Sequence, residues 1–345
     1  MNDPLAITGL GALSALGAGL AAHREALASG RRVLRPLREM PGAPERFEDL
    51  PGGWIEPRDR LCDRKWSPSS MAALHVAAEA LEAAGWSDAE RRRAAVFFGT
   101  SRGPLAGWTD PWPGRRGFDL LAATNSLPAE PAAAVSATFG IGGPWQVIST
   151  GCCAGLDALA NAEMWIRSGR IDRALVVAVD LPLVAPVLDA YARTGLLADD
   201  ASAGMVPAEA AAAICLERND GPHPGLLGCH AASDATALLG SSDDPGCLAG
   251  LIDEARNAHG EPDLFIPHAS GTLSNHRSET DLMPQCPAVR YKPHTGHGVG
   301  ASGLLELVLA CDGSFPAGEV PDHPSVIFKL ASALGGRHSL CCVSR

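Results

Sequence analysis

Apolar residues in this chain follow two rhythms. Short continuous runs of β-branched and small residues alternate with longer stretches of helical period. Residues 5–8 read as a buried strand closed by Gly9 and Gly11, and a helical pattern follows over residues 20–27. Residues 31–66 carry Pro, Gly, Arg and Trp without a period, which predicts a long surface connection with little regular structure. Residues 67–84 predict a helix capped by Ser67 with Pro68 in its first position. Ala95–Gly99 predicts a buried strand, residues 101–118 a loop, residues 129–139 a helix, and residues 174–179 and 210–216 two further strands. A polar stretch, residues 219–224, reads as a hinge, after which the rhythm restarts. Strands predicted at 226–230, 264–267 and 289–291 alternate with helices at 247–257, 275–283 and 301–309, and two strands close the chain at 326–330 and 340–343. Two β-α-β-α-β-α-β-β halves, residues 1–218 and 219–345, imply a pseudo-duplicated α/β protein whose sheets are covered by helices.

The stretch 145–169 departs most sharply from plain core patterning. A β-branched run ends in Cys152-Cys153 and a helical pattern begins at once. Unpaired N–H groups and the positive dipole end of a helix favour an anion, and a thiolate there can attack an acyl carbon. Cys152 is the candidate nucleophile, with Gly151 and Gly155 permitting a sharp strand-to-helix turn, and Cys153 points into packing. A buried cysteine acting only as a small hydrophobe is the competing reading.

Composition removes several alternatives. With 28 basic against 39 acidic residues the chain lacks the basic footprint of non-specific nucleic-acid binding. The apolar stretch 5–22 is broken by Thr8, Ser14 and glycines and reads as strand, turn and helix start rather than a membrane span. Ten cysteines are scattered without a spaced Cys/His ligand set, so a reduced cytoplasmic protein without structural zinc is expected. No Walker pattern occurs, and Gly9-x-Gly11 without a third spaced glycine is weak evidence for a dinucleotide.

In the second half, buried strands again feed polar, glycine-rich turns, where an α/β protein places its site. His268 and His297 stand in two such turns and complete a Cys-His-His set, although each alone is compatible with a structural histidine.

With these residues in place, nearly the whole chain resembles a β-ketoacyl synthase, a condensing enzyme of the thiolase superfamily. STGCCAGLDA matches the family's nucleophile motif and puts its cysteine on Cys152. His268, Ser270, Gly271, Thr272, Asn275 and Glu279 match the first histidine motif, and Lys292, Gly296, His297, Gly300, Ala301 and Gly303 the second. Departures are Ala269 for Gly, His276 for Asp, a glycine-rich turn reduced to 332–336 without its aromatics, and an altered segment 205–209.

The resemblance implies a five-layered αβαβα fold and an acyl group carried on Cys152, taken from a carrier's phosphopantetheine arm, with no permanently bound cofactor and no metal. It further implies an oxyanion hole from the N–H groups of Cys152 and Leu334. His268 and His297 would stabilise the enolate of decarboxylated malonyl-carrier, while Lys292 and Glu279 would orient and polarise them. Ser270 and Thr272 would bind the pantetheine, and Arg60, Arg64 and Lys65 would dock an acyl carrier protein. A dimer follows as well, with the same chain or a homologue, its seam near Ala95–Gly99 or residues 174–179. Three readings remain: a decarboxylating synthase of fatty-acid or polyketide assembly, an acyltransferase to an amine or alcohol, and a non-catalytic chain-length partner.

Overall fold

The computed structural model describes residues 3–109, 127–198, 203–218, 221–235, 246–280, 282–318 and 324–345. Among these, the longer strands are β1 (Leu5–Ser14), β2 (Ala95–Gly99), β3 (Trp145–Ile148), β4 (Arg173–Asp180), β5 (Ala210–Glu217), β6 (Gly225–Ser233), β7 (Leu264–Ile266), β8 (Val326–Ala333) and β9 (Arg337–Ser344). Helices of eight residues or more are α1 (Leu20–Ala28), α2 (Pro68–Ala84), α3 (Glu130–Phe139), α4 (Ala154–Arg167), α5 (Ala185–Arg193), α6 (Gly246–His259), α7 (Leu273–Thr280) and α8 (Ser302–Asp312).

The strands pair in the order β7-β8-β9-β6-β1-β5-β4-β2-β3, with the short strand Gly17–Ala18 folded back on the end of β1. The two halves of this path repeat one pattern. β4 runs parallel to β2 and antiparallel to β5, which is antiparallel to β1; β8 runs parallel to β7 and antiparallel to β9, which is antiparallel to β6. β3 continues the first half in parallel with β2, whereas the matching place beside β7 holds a single parallel bridge, Phe265 to Ala288. The strand predicted at 289–291 is therefore one bridge, after which Lys292–Thr295 turns helical. Along the described strand path the two halves join where Leu5 and Ala6 of β1 pair with Leu226 and Gly225 of β6.

Helices α4 and α8 lie between the two half-sheets and touch strands of both, while α2 with α3 covers one outer face and α6 the other. This gives five layers. The all-apolar strands predicted from continuous runs are those buried on both faces, such as Val176 and Val177 of β4 and Ile214 and Cys215 of β5.

Two expectations need correction for physical reasons. Gly9 and Gly11 do not end the first strand, which continues to Ser14; they lie under α2, where an added Cβ would sit 2.0 Å from Ala80 O and 2.1 Å from Val76 O. Residues 31–66 have little regular structure, as expected, but do not run only over the surface. They carry a two-residue ladder, Arg35–Pro36 with Pro51–Gly52, and fold Leu37, Met40, Phe47 and Trp54 into a small core with Leu183 and Leu188. The segment 101–118 contains a helical turn, Ala106–Thr109, and its residues 110–118, like part of the 219–224 hinge, lie outside the described residues. Strands Ala95–Gly99 and Arg173–Asp180 each have neighbours on both sides, and among the described residues β3, beside Ala95–Gly99, ends the order of the first half, with Trp145 44% exposed. No helix among the described residues is long and apolar enough to cross a membrane.

Candidate active site

The two central helices start at the same place, and the residues that precede them meet there. Cys152 stands in the tight turn Gly151–Cys153 between β3 and α4, and His297 stands just before α8. Gly151 takes φ 61° to make the turn, and at Gly155 a Cβ would lie 2.9 Å from Gly300 O, so α4 can approach the start of α8 only without a side chain there. Cys152 Sγ is 3.5 Å from His297 Nε2. His268, which follows β7, brings its ring centroid to 5.1 Å from that of His297 at an interplanar angle of 75°. Cys153 is buried, its thiol donating to Ala331 O and Arg337 O at 3.4 Å each.

Cys152, His268 and His297 line a cavity of about 140 Å³ together with Ser270, Thr272 and Leu334. Arg102, Tyr191, Met205 and Val299 also face it, and the Arg102 guanidinium lies 5.2 Å from the Tyr191 ring centroid. Leu334 is 43% exposed, in the turn between β8 and β9. Ser270 Oγ and Thr272 Oγ1 are 3.0 Å apart, and Thr272 Oγ1 accepts from Asn275 N–H at the start of α7, so both hydroxyls already hold the local turn.

Burial governs the electrostatics. It pushes the Cys152 thiol up to about 12, against the opposing pull of Lys292, so the expected helix-activated thiolate gives way to a resting thiol. It also drives His268 and His297 well below the usual histidine range, with Lys292 adding to the shift in both, and both rings are neutral at pH 7. Ser302 Oγ accepts from Gly298 N–H at 2.7 Å and lies 3.1 Å from His297 Nδ1. When the Ser302 hydroxyl donates to Nδ1, the ring proton of His297 sits on Nε2 and faces the sulfur.

Lys292 and Glu279 hold the main chain of His268 rather than either ring. Glu279 Oε1 accepts from His268 N–H at 2.8 Å and its Oε2 from Ala269 N–H at 3.0 Å, while Lys292 Nζ donates to His268 O. Ala269 occupies φ 46°, a left-handed conformation that an alanine adopts at a cost, where the resembled motif has Gly. The altered segment 205–209 clamps the other histidine: His297 N–H donates to Val206 O at 2.7 Å and Ala208 N–H to His297 O at 3.0 Å. Arg60, Arg64 and Lys65 precede α2; Arg60 is half-buried with Nη1 3.4 Å from His75 Nδ1, Arg64 is exposed, and Lys65 lies over the Trp66 ring.

Sequence reasoning missed three buried charges that support this floor. Glu306 on α8 joins Lys292 at 2.6 Å and Lys329 on β8 at 2.7 Å, and burial pulls Lys329 down to about 8. Asp180, raised by burial to about 6, accepts from Thr100 Oγ1 at 2.9 Å, Ser101 N–H at 2.8 Å and Gly300 N–H at 2.8 Å. Each stands alone in an apolar run, and a lone charge in such a run requires a buried partner.

The family description "Beta-ketoacyl synthase, N-terminal domain" matches residues 2–221. The tetracenomycin polyketide synthase ketoacyl synthase alpha subunit of Streptomyces glaucescens is 28% identical over 368 residues, covering 91% of this chain and 85% of the relative. Nodulation protein E of Rhizobium meliloti (strain 1021) is 26% identical over 364 residues, covering 93% and 88%. Among solved structures, the ishigamide ketosynthase/chain length factor has the same fold, with a TM-score of 0.81 over 100% of this chain and 99% of that one at 18% identity. The chain belongs to the β-ketoacyl synthase family.

Proposed function

We propose that this chain is a decarboxylating condensing enzyme of polyketide or fatty-acid assembly, with Cys152 as nucleophile and His268 and His297 as the hydrogen-bond donors of the condensation step. The observation that carries this reading is the meeting of one thiol and two neutral imidazoles at a single cavity, with 3.5 Å between Cys152 Sγ and His297 Nε2. In the loading step Cys152 sulfur attacks the acyl carbon of a carrier-bound thioester, and the pantetheine sulfur leaves with the thiol's proton. N–H groups of Cys152 and Leu334 receive the oxyanion. In the second step malonyl-carrier loses carbon dioxide, and Nε2–H groups of His268 and His297 stabilise the enolate oxygen. The enolate carbon attacks the acyl-enzyme and expels the Cys152 thiolate, which takes up a proton. Neutral rings suit this role, since each must donate without carrying charge.

Lys292 and Glu279 act as positioning residues through the His268 main chain, and Ser270 and Thr272 exchange their turn hydrogen bonds for the pantetheine arm. One solved relative of this fold, at 21% identity and TM-score 0.79, is described as an acyl carrier protein in complex with its ketosynthase. The same kind of partner is proposed here, with Arg64 and Lys65 as docking charges and Arg60 engaged with His75. Charge reversal at Arg64 and Lys65 then raises KM for carrier-bound substrate and spares small thioester mimics; an equal effect on both contradicts docking. The edge of β3, unpaired among the described residues, with its exposed Trp145 supports pairing with a second subunit, the same chain or a homologue, which light scattering tests. The boundary between halves is taken at 218/219.

The test is intact-mass detection of the acyl-enzyme followed by malonyl-carrier or an amine. A β-ketoacyl-carrier product supports condensation, transfer only to the amine replaces it with simple acyl transfer, and no acyl-enzyme at all marks a non-catalytic partner.

A further inference from the structure

A second constellation of nitrogen and sulfur donors lies on the outer face of the second half-sheet. Strands β6 and β9 pair so that Cys342 stands opposite Gly228 and Leu340 opposite His230. Side chains alternate along a strand, so Cys342 and His230 project from the same face, the one that α6 covers with Leu248, Leu251 and Ile252. His259 ends that helix. Its imidazole occupies the space that a side chain at position 228 would fill, since a Cβ on Gly228 would lie 2.7 Å from His259 Nε2. His230 Nε2 and His259 Nε2 face each other at 3.0 Å, and one ring nitrogen of each histidine and Cys342 Sγ all lie within 4.8 Å of one another.

We propose that His230, His259 and Cys342 form a binding site for a borderline-soft divalent cation, Zn²⁺ above all, with a fourth position open to water. Two imidazoles and a thiolate are the donors such an ion prefers, and tetrahedral bonds of about 2.0–2.3 Å bring ligand atoms to about 3.3–3.6 Å from one another. The facing nitrogens are already close to that spacing. A supporting group is also in place: Glu254 Oε1 is 3.1 Å from His230 Nδ1. A carboxylate that accepts a hydrogen bond from Nδ1–H leaves Nε2 free to ligate and fixes the ring, as in carboxylate–histidine–zinc arrangements. Glu163 is engaged elsewhere, accepting from Cys229 N–H at 2.9 Å and Arg167 Nε at 2.7 Å. The ion would tie the last turn of α6 to the sheet. No sequence spacing announces the set, because its members come from two strands and a helix end brought together by register. The plain alternative is a relay in which His259 Nε2–H donates to His230 Nε2 and no metal binds.

The full-length Cys152→Ala protein is used for the test, so that the other Cys-His-His set, at the active site, lacks its thiol. After chelator treatment it is titrated with Co²⁺ and, separately, Zn²⁺. The proposal predicts one cobalt site with a thiolate-to-metal charge-transfer band that disappears when Cys342→Ser is added. Absence of the band, or its persistence with Cys342→Ser, overturns the site. If Cys342→Ser does not fold, His259→Gln and the exposed Glu254→Gln decide: a loss of Zn²⁺ affinity of about tenfold or more in both supports the site. Unchanged affinity in either overturns it.

Discussion

Lys292 Nζ sits 2.6 Å from Glu306 Oε1 with both side chains buried, and the other oxygen of the same carboxylate holds Lys329. One carboxylate therefore balances two ammonium groups directly behind the His268 backbone. Glu306→Gln removes the carboxylate that both lysines share, and breaking a buried pair in this way costs about 3–5 kcal/mol. Chemical denaturation should show that loss, together with impaired condensation. Stability within 1 kcal/mol of the parent, as an order-of-magnitude margin, contradicts the role assigned to Glu306.

Ser302 Oγ, 3.1 Å from His297 Nδ1, is placed to donate its hydroxyl there and so keep the ring proton on Nε2. Ser302→Ala is expected to slow condensation about ten- to a hundredfold, part of what a positioned proton donor contributes, with acyl loading less affected. Ser302→Thr keeps the hydroxyl and should recover most of the rate. A burial-lowered histidine charges only as pH falls well below 6.5, so the loss of condensation that comes from charging His297 lies well below that point. An acid limb centred near 6.5 would place the histidines in an open, solvated site instead.

Leu334 lies at the cavity where the resembled turn carries an aromatic residue. Leucine seals an acyl channel less completely than a flat ring and leaves room for branched or rigid acyl groups. A neighbouring tryptophan is the alternative filler, but Trp112 and the side chain of Trp108 lie outside the described residues. Leu334→Phe should narrow the acyl range while short acyl groups still load, as read from acyl-enzyme yields across short, long and aromatic donors. An unchanged preference removes Leu334 from that role.

Much of this site was legible because its reactive residues sit at element ends, where strand and helix signals change and motifs are short. Cys152 and His297 are found in that way, each just before a central helix. The supporting charges were not, because Glu306, Lys329 and Asp180 are single polar letters inside apolar runs whose partners lie on other elements. Gly9 and Gly11 misled for a related reason: a glycine that makes room for a crossing helix reads locally like a strand end. The core of residues 31–66 escaped because Leu37, Phe47 and Trp54 pack without a period. The metal constellation at His230, His259 and Cys342 depends on strand register, which no spacing along the chain records.

The central claim is that Cys152 alone carries the acyl group, and peptide-mapping mass spectrometry of the protein treated with an acyl thioester tests it most directly. The account predicts one acylated peptide, modified at Cys152, with no acylation in Cys152→Ala and most of it kept in Cys153→Ala, whose thiol is turned to the Ala331 and Arg337 carbonyls. Acylation that persists without Cys152, or that maps to another of the ten cysteines, would contradict it.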